Sequence, residues 1–411
     1  MEERLRGGCK TFGHITHWSW QFPAMRVWPK TSKARRVSAA ILILVVLGGL
    51  WFIGSSVFDK PDRASLARIL VLDDSDSDFR TPPFEDCVYA FPEGNLVRKV
   101  ADLNVCQTVG GGRMLSAAQD GRFFLVCENV ANHLTAYETQ TGARRWRLDG
   151  GFQSATVSRD GLIYALTSAG TIYGDQALVI NERGDIQRKA QVGGFDLVVD
   201  DERKVLWTVG ANVKKCDLAL NVLWETNVIG WCAVSVDLEP DGSIWLAERE
   251  HPNVARSQDR LVKISPSGEL LKIVKLDFSP ACLRVNHKDG NFWVTGGESR
   301  NSKTRPLLEW IEKRTGRLPL WKGARDFLMR NRYGPRTEKR DREGTLLQKL
   351  NRAGHTVAID PADGSVWLAG RKELWHYSDE GAKRGRMEGL SESQSYVVVL
   401  PVRASDRVGS K

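Results

Sequence analysis

An Asp, usually followed by Gly, recurs at near-constant spacing before a short apolar-aromatic stretch. The copies are Asp120-Gly121 before RFFLV, Asp160-Gly161 before LIYAL, Asp241-Gly242 before SIWLA, Asp289-Gly290 before NFWVT and Asp363-Gly364 before SVWLA. Asp201 before ERKVLWTV is a looser copy. The intervals are 40, 41, 40, 48 and 74 residues. Phe124, Tyr164, Trp245, Trp293 and Trp367 all lie four residues after the Asp, and Trp207 takes that place with two residues inserted. A period of about 40 residues means a repeated supersecondary unit that buries its apolar face only against its neighbours. The recurring aromatics read as packing between such units rather than as a stacking site.

Each copy reads as four strands. An apolar stretch precedes the Asp (ATVSRD, DLVVDD, AVSVDLEPD, LRVNHKD, TVAIDPAD) and the aromatic strand follows it. A third strand runs into a Gly-bearing turn, as in HLTAYETQTG, ALVINERG, RLVKISPSG and LLEWIEKRTG. A fourth strand follows, as in ARRWRL, VLWET, LLKIVKL and LPLW. Gly supplies the positive φ that tight hairpins need. Four short alternating strands per copy define a β-propeller blade. The chain ends supply a further blade: ARILVLDD and CVYAFPEGNLVRKV give its second to fourth strands, and SYVVVLPV its first. Such closure removes the open sheet edge. The expected fold is therefore an all-β, seven-bladed propeller over residues 67–403, with six and eight blades left open by degenerate junctions, and a disordered tail at 404–411.

The DG-x-[IVF]-W-[LV] strand followed by RLVKISPSGELLKI resembles the NHL-type and streptogramin-lyase-type propeller repeats. LTAYETQTGARRW and LEWIEKRTGRLPLW resemble the repeat of quinoprotein-like propellers. These likenesses imply a fold, and unrelated functions share it. Streptogramin-lyase-like proteins place a catalytic His and acids in the central channel, and lactonase-like ones bind a divalent metal there. Quinoprotein enzymes commonly carry a vicinal cysteine pair, which this chain lacks.

Residues 37–58, VSAAILILVVLGGLWFIGSSVF, contain no charge. These 22 residues match the ~20 needed to cross a bilayer as a helix. The 36 residues before them carry eight Lys/Arg and two acids, whereas residues 59–80 hold six acids and four bases. The asymmetry places a basic cytoplasmic tail at 1–36, a single-pass transmembrane helix at 37–58, a linker at 59–66, and the propeller outside. A cleaved signal peptide is the competing reading, kept open by Gly54-Ser55-Ser56, but the apolar core exceeds the usual ~7–15 residues. None of the fourteen Asn opens a glycosylation sequon, which leans towards a bacterial source. The seven cysteines show no zinc-ligand spacing, so neither a structural metal nor a cofactor is expected.

Two copies are long. The fourth gains residues at EREHPNVARSQDR, between its second and third strands. The fifth gains about 34, read as a basic insertion over 323–352 after its fourth strand, with ARDFLMRN and REGTLLQKL as short helices. Residues 298–352 hold sixteen Lys/Arg against seven acids. Arg325, Arg330, Arg332, Arg336, Lys339 and Arg340 are the candidate anion- or partner-binding set, a rim attractive to acidic ligands. Strand alternation puts it on the membrane-distal face, where an envelope protein or an anionic polymer would bind; nucleic acid is not expected. The candidate catalytic groups follow second strands: Glu248, Glu250 and His251 in one blade, Glu128 and Asn129 in another. A His beside carboxylates suits general-base work. The reading is a non-catalytic binding or scaffold protein on the outer face of a bacterial membrane. The alternative is a propeller lyase or hydrolase at the channel mouth.

Overall fold

A computed structural model describes residues 68–73, 86–91, 98–103, 113–128, 133–167, 175–227, 232–249, 259–298, 336–350, 352, 354–370, 373–388 and 395–400. The chain divides into two units, Met1–Phe58 and Asp59–Lys411, and all described residues belong to the second. Among them, no helix is long and apolar enough to cross a membrane. The proposed tail, membrane segment, linker and C-terminal tail lie outside the described residues.

The described residues form an all-β propeller of four-stranded antiparallel sheets. Six blades are continuous in sequence. Near the N-terminus come β1 (Arg68–Asp73), β2 (Asp86–Phe91) and β3 (Arg98–Leu103). Blade 1 is β4 (Arg113–Ala117), β5 (Phe123–Glu128), β6 (His133–Glu138) and β7 (Arg144–Asp149). Blade 2 is β8 (Phe152–Val157), β9 (Ile163–Thr167), β10 (Ala177–Ile180) and β11 (Ile186–Ala190). Blade 3 is β12 (Asp196–Asp200), β13 (Val205–Val209), β14 (Asn212–Asp217) and β15 (Val222–Asn227). Blade 4 is β16 (Cys232–Leu238), β17 (Ile244–Arg249), β18 (Arg260–Ile264) and β19 (Leu270–Lys275). Blade 5 is β20 (Phe278–Val285), β21 (Phe292–Glu298), β22 (Arg336–Arg340) and β23 (Leu346–Leu350). Blade 6 is β24 (Thr356–Ile359), β25 (Val366–Ala369), β26 (Glu373–Tyr377) and β27 (Lys383–Glu388). A further four-stranded sheet joins the chain ends: β28 (Ser395–Leu400) pairs antiparallel with β1, which pairs with β2 and then β3. The innermost strand β28 packs between β24 and β4, so the innermost strands form a closed cycle.

The aromatic register is the core. Trp207, Trp245 and Trp293 are fully buried, as are Phe124 and Tyr164 at the equivalent places. Trp245 packs on Phe278, Leu283 and Phe292 of the next blade, and Trp293 packs with Val357, Leu368 and Trp375 of the one after. Burying an aromatic of ~200 Å² contributes at most about 4–6 kcal/mol, which explains why each blade repeats it. Gly268 shows why the turns need Gly. Its φ is +97°, and an added Cβ would fall 2.4 Å from Trp224 Cε2.

One sequence expectation is corrected. The third and fourth strands of blade 5 are β22 and β23, RTEKR and LLQKL, not LLEWIEKRTG and LPLW. REGTLLQKL is thus a turn and a strand rather than a helix. The insertion is not 323–352; the extra residues lie between β21 and β22, at 299–335, outside the described residues. The strand RTEKR pairs well because its charges are neutralised one by one, as described next.

Candidate functional site

Antiparallel order fixes two faces. Connections from first to second strands, and from third to fourth, lie on one face, here the turn face. Connections between blades, and from second to third strands, lie on the other, the connection face. The turn face carries Gly161, Gly242 and Gly364, and also Gly184, Gly268 and Gly381, all at positive φ.

On the turn face the central channel opens into a cavity of about 640 Å³. Every innermost strand, or the turn directly after it, contributes to its wall; Ala117, Thr156, Val198, Leu238, His287 and Val398 are examples. The carboxylates at this mouth are already engaged. Asp200 accepts the backbone N–H groups of Glu202 and Arg203 and pairs with Arg203 Nη1 at 3.0 Å. Asp201 accepts the Arg159 N–H. Glu239 Oε1 accepts Trp245 Nε1 at 2.6 Å and Lys263 Nζ at 2.9 Å.

Deeper in the channel, side chains of one blade satisfy the inner-edge N–H groups of the next. Buried Asp196 accepts Ser154 Oγ at 2.9 Å and the Val236 N–H at 3.1 Å, tying blades 2, 3 and 4. Burial pushes its carboxyl above the usual range, while Arg284 and these hydrogen bonds pull it back. Asp237 accepts the Val285 N–H at 2.8 Å, and Thr356 Oγ1 accepts the Val397 N–H at 3.0 Å. A first strand has no neighbour on its channel side, so these bonds satisfy donors that would otherwise be orphaned.

The predicted catalytic set is not brought together by the described residues. Glu248 is buried, and its Oε2 accepts Arg260 Nε at 2.5 Å from the directly opposite register position. It is a structural ion pair rather than an exposed base. Glu128 ends β5 in register with Arg113 and His133. Glu250, His251 and Asn129 lie outside the described residues. Among the described residues no three His, Cys, Asp or Glu cluster as metal ligands would.

The basic set divides. Arg336, Lys339 and Arg340 are in β22 and spoken for. Arg336 pairs with Asp277. Lys339 Nζ donates to the Asp379 carboxylate at 2.7 Å and to its carbonyl at 2.8 Å. Arg340 donates twice to Glu338, from Nη2 at 2.6 Å and Nε at 3.1 Å, and to the Gly344 carbonyl at 2.7 Å. Lys339 thus ties blade 5 to blade 6, while Arg340 is bound within blade 5 and Arg336 meets the acid just before β20; the three do not form a free rim. Arg325, Arg330 and Arg332 lie in the 299–335 connection, outside the described residues.

Sequence reasoning missed the carbonyls that receive these cations. Asp379 and Arg342 stand two residues before the positive-φ Gly of a third-to-fourth turn, and each accepts a Lys from the preceding blade. The Lys in turn lies over the second-strand Trp: Lys215 over Trp207, Lys263 over Trp245 and Lys339 over Trp293, at 5.5, 5.6 and 6.0 Å. A Lys in a third strand, one or two positions before the strand end, was the available signal.

No protein-family profile and no curated protein sequence matches this chain. Solved structures do. Hydrazine synthase of Kuenenia stuttgartiensis superimposes with a TM-score of 0.52 at 12% identity, over 65% of this chain and 76% of that one. A functionally unknown protein from Desulfotomaculum acetoxidans DSM 771 gives 0.55 at 10% identity, over 82% and 99%. A chain of the mitotic checkpoint complex gives 0.51 at 11%, over 76% and 89%. At such identities the likeness is one of fold, the β-propeller, and carries no activity across.

Proposed function

We propose that this chain is a membrane-anchored, non-catalytic binding or scaffold protein on the outer face of a bacterial membrane, engaging its partner through the connection face. The sheet joining both chain ends is read as the seventh blade that closes its ring. The observation that carries the reading is the placement of the longest second-to-third connection. It leaves β21 at Glu298 and returns at Arg336, with 37 residues between, on the connection face. Residues 299–335 hold ten Lys/Arg and three acids. β1 begins on the opposite, turn face, with nine residues between it and the end of the apolar segment at residue 58. Those nine residues span at most ~30 Å, so the tether joins the propeller at its turn face, the face opposite the one that carries the basic connection. Arg325, Arg330 and Arg332 are then the anion-attracting residues, acting on an acidic envelope protein or an anionic polymer.

The lyase or hydrolase alternative is weakened by the Glu248–Arg260 pair, which buries one member of the candidate set in an ion pair inside blade 4.

The test is a crosslinked pull-down of the full chain from its own envelope. Reversing Arg325, Arg330 and Arg332 to Glu should abolish recovery, and recovery of the unmodified chain should fall as salt rises. Undiminished recovery after charge reversal would sink the reading. Reporter fusions at Lys30 and Lys411 should report opposite sides of the membrane; the same side for both would end the anchor.

A further inference from the structure

Seven of the eight exposed large hydrophobic residues among the described residues fall on three consecutive fourth strands: Val222 and Leu223 on β15, Leu270, Leu271 and Ile273 on β19, Leu346 and Leu347 on β23. The pairs occupy one structural position, two and three residues past the positive-φ residue of the turn: Leu220, Gly268 and Gly344. They therefore stand at the outer edge of the turn face on blades 3, 4 and 5. The same position holds Arg144 and Arg145 in blade 1, and Lys383 and Arg384 in blade 6. The perimeter is thus apolar on blades 3–5 and cationic on blades 1 and 6. Some fourth-strand residues pack on the core, as Trp224, Val274 and Leu350 do, but Leu271 and Leu347 do not: they are 51% and 53% exposed. An apolar arc of this extent marks an interaction surface.

Lys272 and Lys275 on β19 and Lys349 on β23 are exposed beside these leucines. None has a carboxylate within 4 Å among the described residues. Lys349 also feels the Asp277 carboxylate, but all three ammonium groups are exposed. Leucines flanked by exposed lysines are the composition of a surface that sits in the headgroup layer, with lysines on lipid phosphates and apolar tips in the acyl boundary. The position agrees with the chemistry. The arc borders the turn face, on which β1 begins at Arg68, within ~30 Å of chain from the end of the apolar segment.

We propose that the outer edges of β15, β19 and β23 form a second membrane contact, docking blades 3–5 onto an anionic bilayer surface. This inference rests on the anchored reading above and adds to it a fixed attitude of the propeller on the membrane.

The experiment uses the full chain in vesicles of phosphatidylcholine and phosphatidylglycerol doped with a photoactivatable lipid, followed by peptide mapping. Label is expected on peptides containing Leu271 and Leu347 as well as on residues 37–58. In the Leu271→Glu/Leu347→Glu variant the edge label should fall at least fivefold, with the 37–58 label and the melting temperature unchanged. Lys272→Glu/Lys349→Glu, which leaves the apolar residues in place, should lower edge labelling severalfold, as should vesicles without phosphatidylglycerol. Label confined to 37–58 in the unmodified chain would overturn the edge contact while leaving the anchor standing. Absence of label from 37–58 would remove the anchor and this inference together. Crosslinks joining Leu271 or Leu347 of two copies would overturn it by assigning the arc to self-association.

Discussion

The Lys263 ammonium donates to the Arg342 carbonyl oxygen at 2.9 Å, across the junction between blades 4 and 5. The same bond recurs around the ring with different donors. Trp146 Nε1 reaches the Glu182 carbonyl at 2.8 Å, Lys215 Nζ the Pro266 carbonyl at 2.7 Å, and Lys339 Nζ the Asp379 carbonyl at 2.8 Å. The Tyr164 hydroxyl points to the Leu218 carbonyl at 3.4 Å. Every acceptor stands two residues before the positive-φ residue of its turn. The turn thus leaves a carbonyl pointing back at the preceding blade, and that blade supplies whatever donor its own strand can carry.

The latch at Lys263 differs from that at Lys215 in what it leaves behind. Lys263 also neutralises Glu239, which is 2% exposed. Lys263→Met should cost about 3–5 kcal/mol, since it strands a buried carboxylate. Lys215→Met removes one hydrogen bond to a carbonyl and should cost about 1 kcal/mol. Urea denaturation of the two variants checks the ordering; equal losses would show that the carboxylate plays no part.

Adjacent glycines at the end of β21 should respond oppositely. A Cβ on Gly296 would fall 2.1 Å from the Ser279 carbonyl oxygen and 2.8 Å from Pro280 Cα, both backbone atoms that cannot swing aside. A Cβ on Gly297 meets nothing within 4 Å. Gly296→Ala is therefore expected to cost about 2 kcal/mol or more, as overpacking does. Gly297→Ala should be neutral or stabilise by up to ~1 kcal/mol through the unfolded chain. Denaturation midpoints decide, and a destabilised Gly297→Ala would refute the contact geometry.

Much of this architecture was legible because it depends on local rules. The Asp-Gly turn and the aromatic four residues later located the second strand of five blades, and the Trp of blade 3 tolerated the two-residue insertion before it. SYVVVLPV paired with ARILVLDD as expected, since both are apolar strands at chain ends and closure needs such a pair. Blade 5 was misread because LLEWIEKRTGRLPLW has the better strand and turn pattern, whereas RTEKRDREGTLLQKL reads as a solvated charged run. What makes the latter a strand is Asp277, Glu338 and Asp379 answering Arg336, Arg340 and Lys339, and two of those three acids lie about 40 or more residues away. Periodicity carries no information about such partners. Glu248 was misjudged for the same reason: Arg260 lies beyond an irregular loop, and only strand register brings them together.

Leu220 holds the turn position that Gly takes in blades 1, 2, 4, 5 and 6, with φ at +68°. Left-handed backbone costs a branched or bulky residue about 1–2 kcal/mol. Leu220 is also buried, packed with Leu206, Leu218 and Cys216. Losing that side chain costs about 2–5 kcal/mol by analogy with Leu→Ala in cores. The second effect wins, so Leu220→Gly should lower stability by about 1–3 kcal/mol despite relieving the backbone. A more stable variant in calorimetry would show that the strain dominates.

The alkaline limb of the stability curve should carry the signature of two buried thiols. Burial pushes Cys216 and Cys232 up to about 11, from an ordinary 9. The folded state therefore holds these protons where the unfolded chain releases them. Their contribution is fully present below pH 9, and it is lost as pH rises from about 9 to 11. Tyr164, pushed up to about 12 by burial, acts in the same direction at higher pH. In Cys216→Ala the loss of stability between pH 9 and 11 should shrink by roughly 1–2 kcal/mol, below the ~1.4 kcal/mol per pKa unit ceiling because ionisation admits water. At pH 8 the same variant should be slightly less stable, from the small cavity it leaves. Denaturation midpoints at pH 8, 9.5 and 10.5 separate the two effects, and parallel curves for variant and unmodified chain would show that the Cys216 proton is not linked to folding.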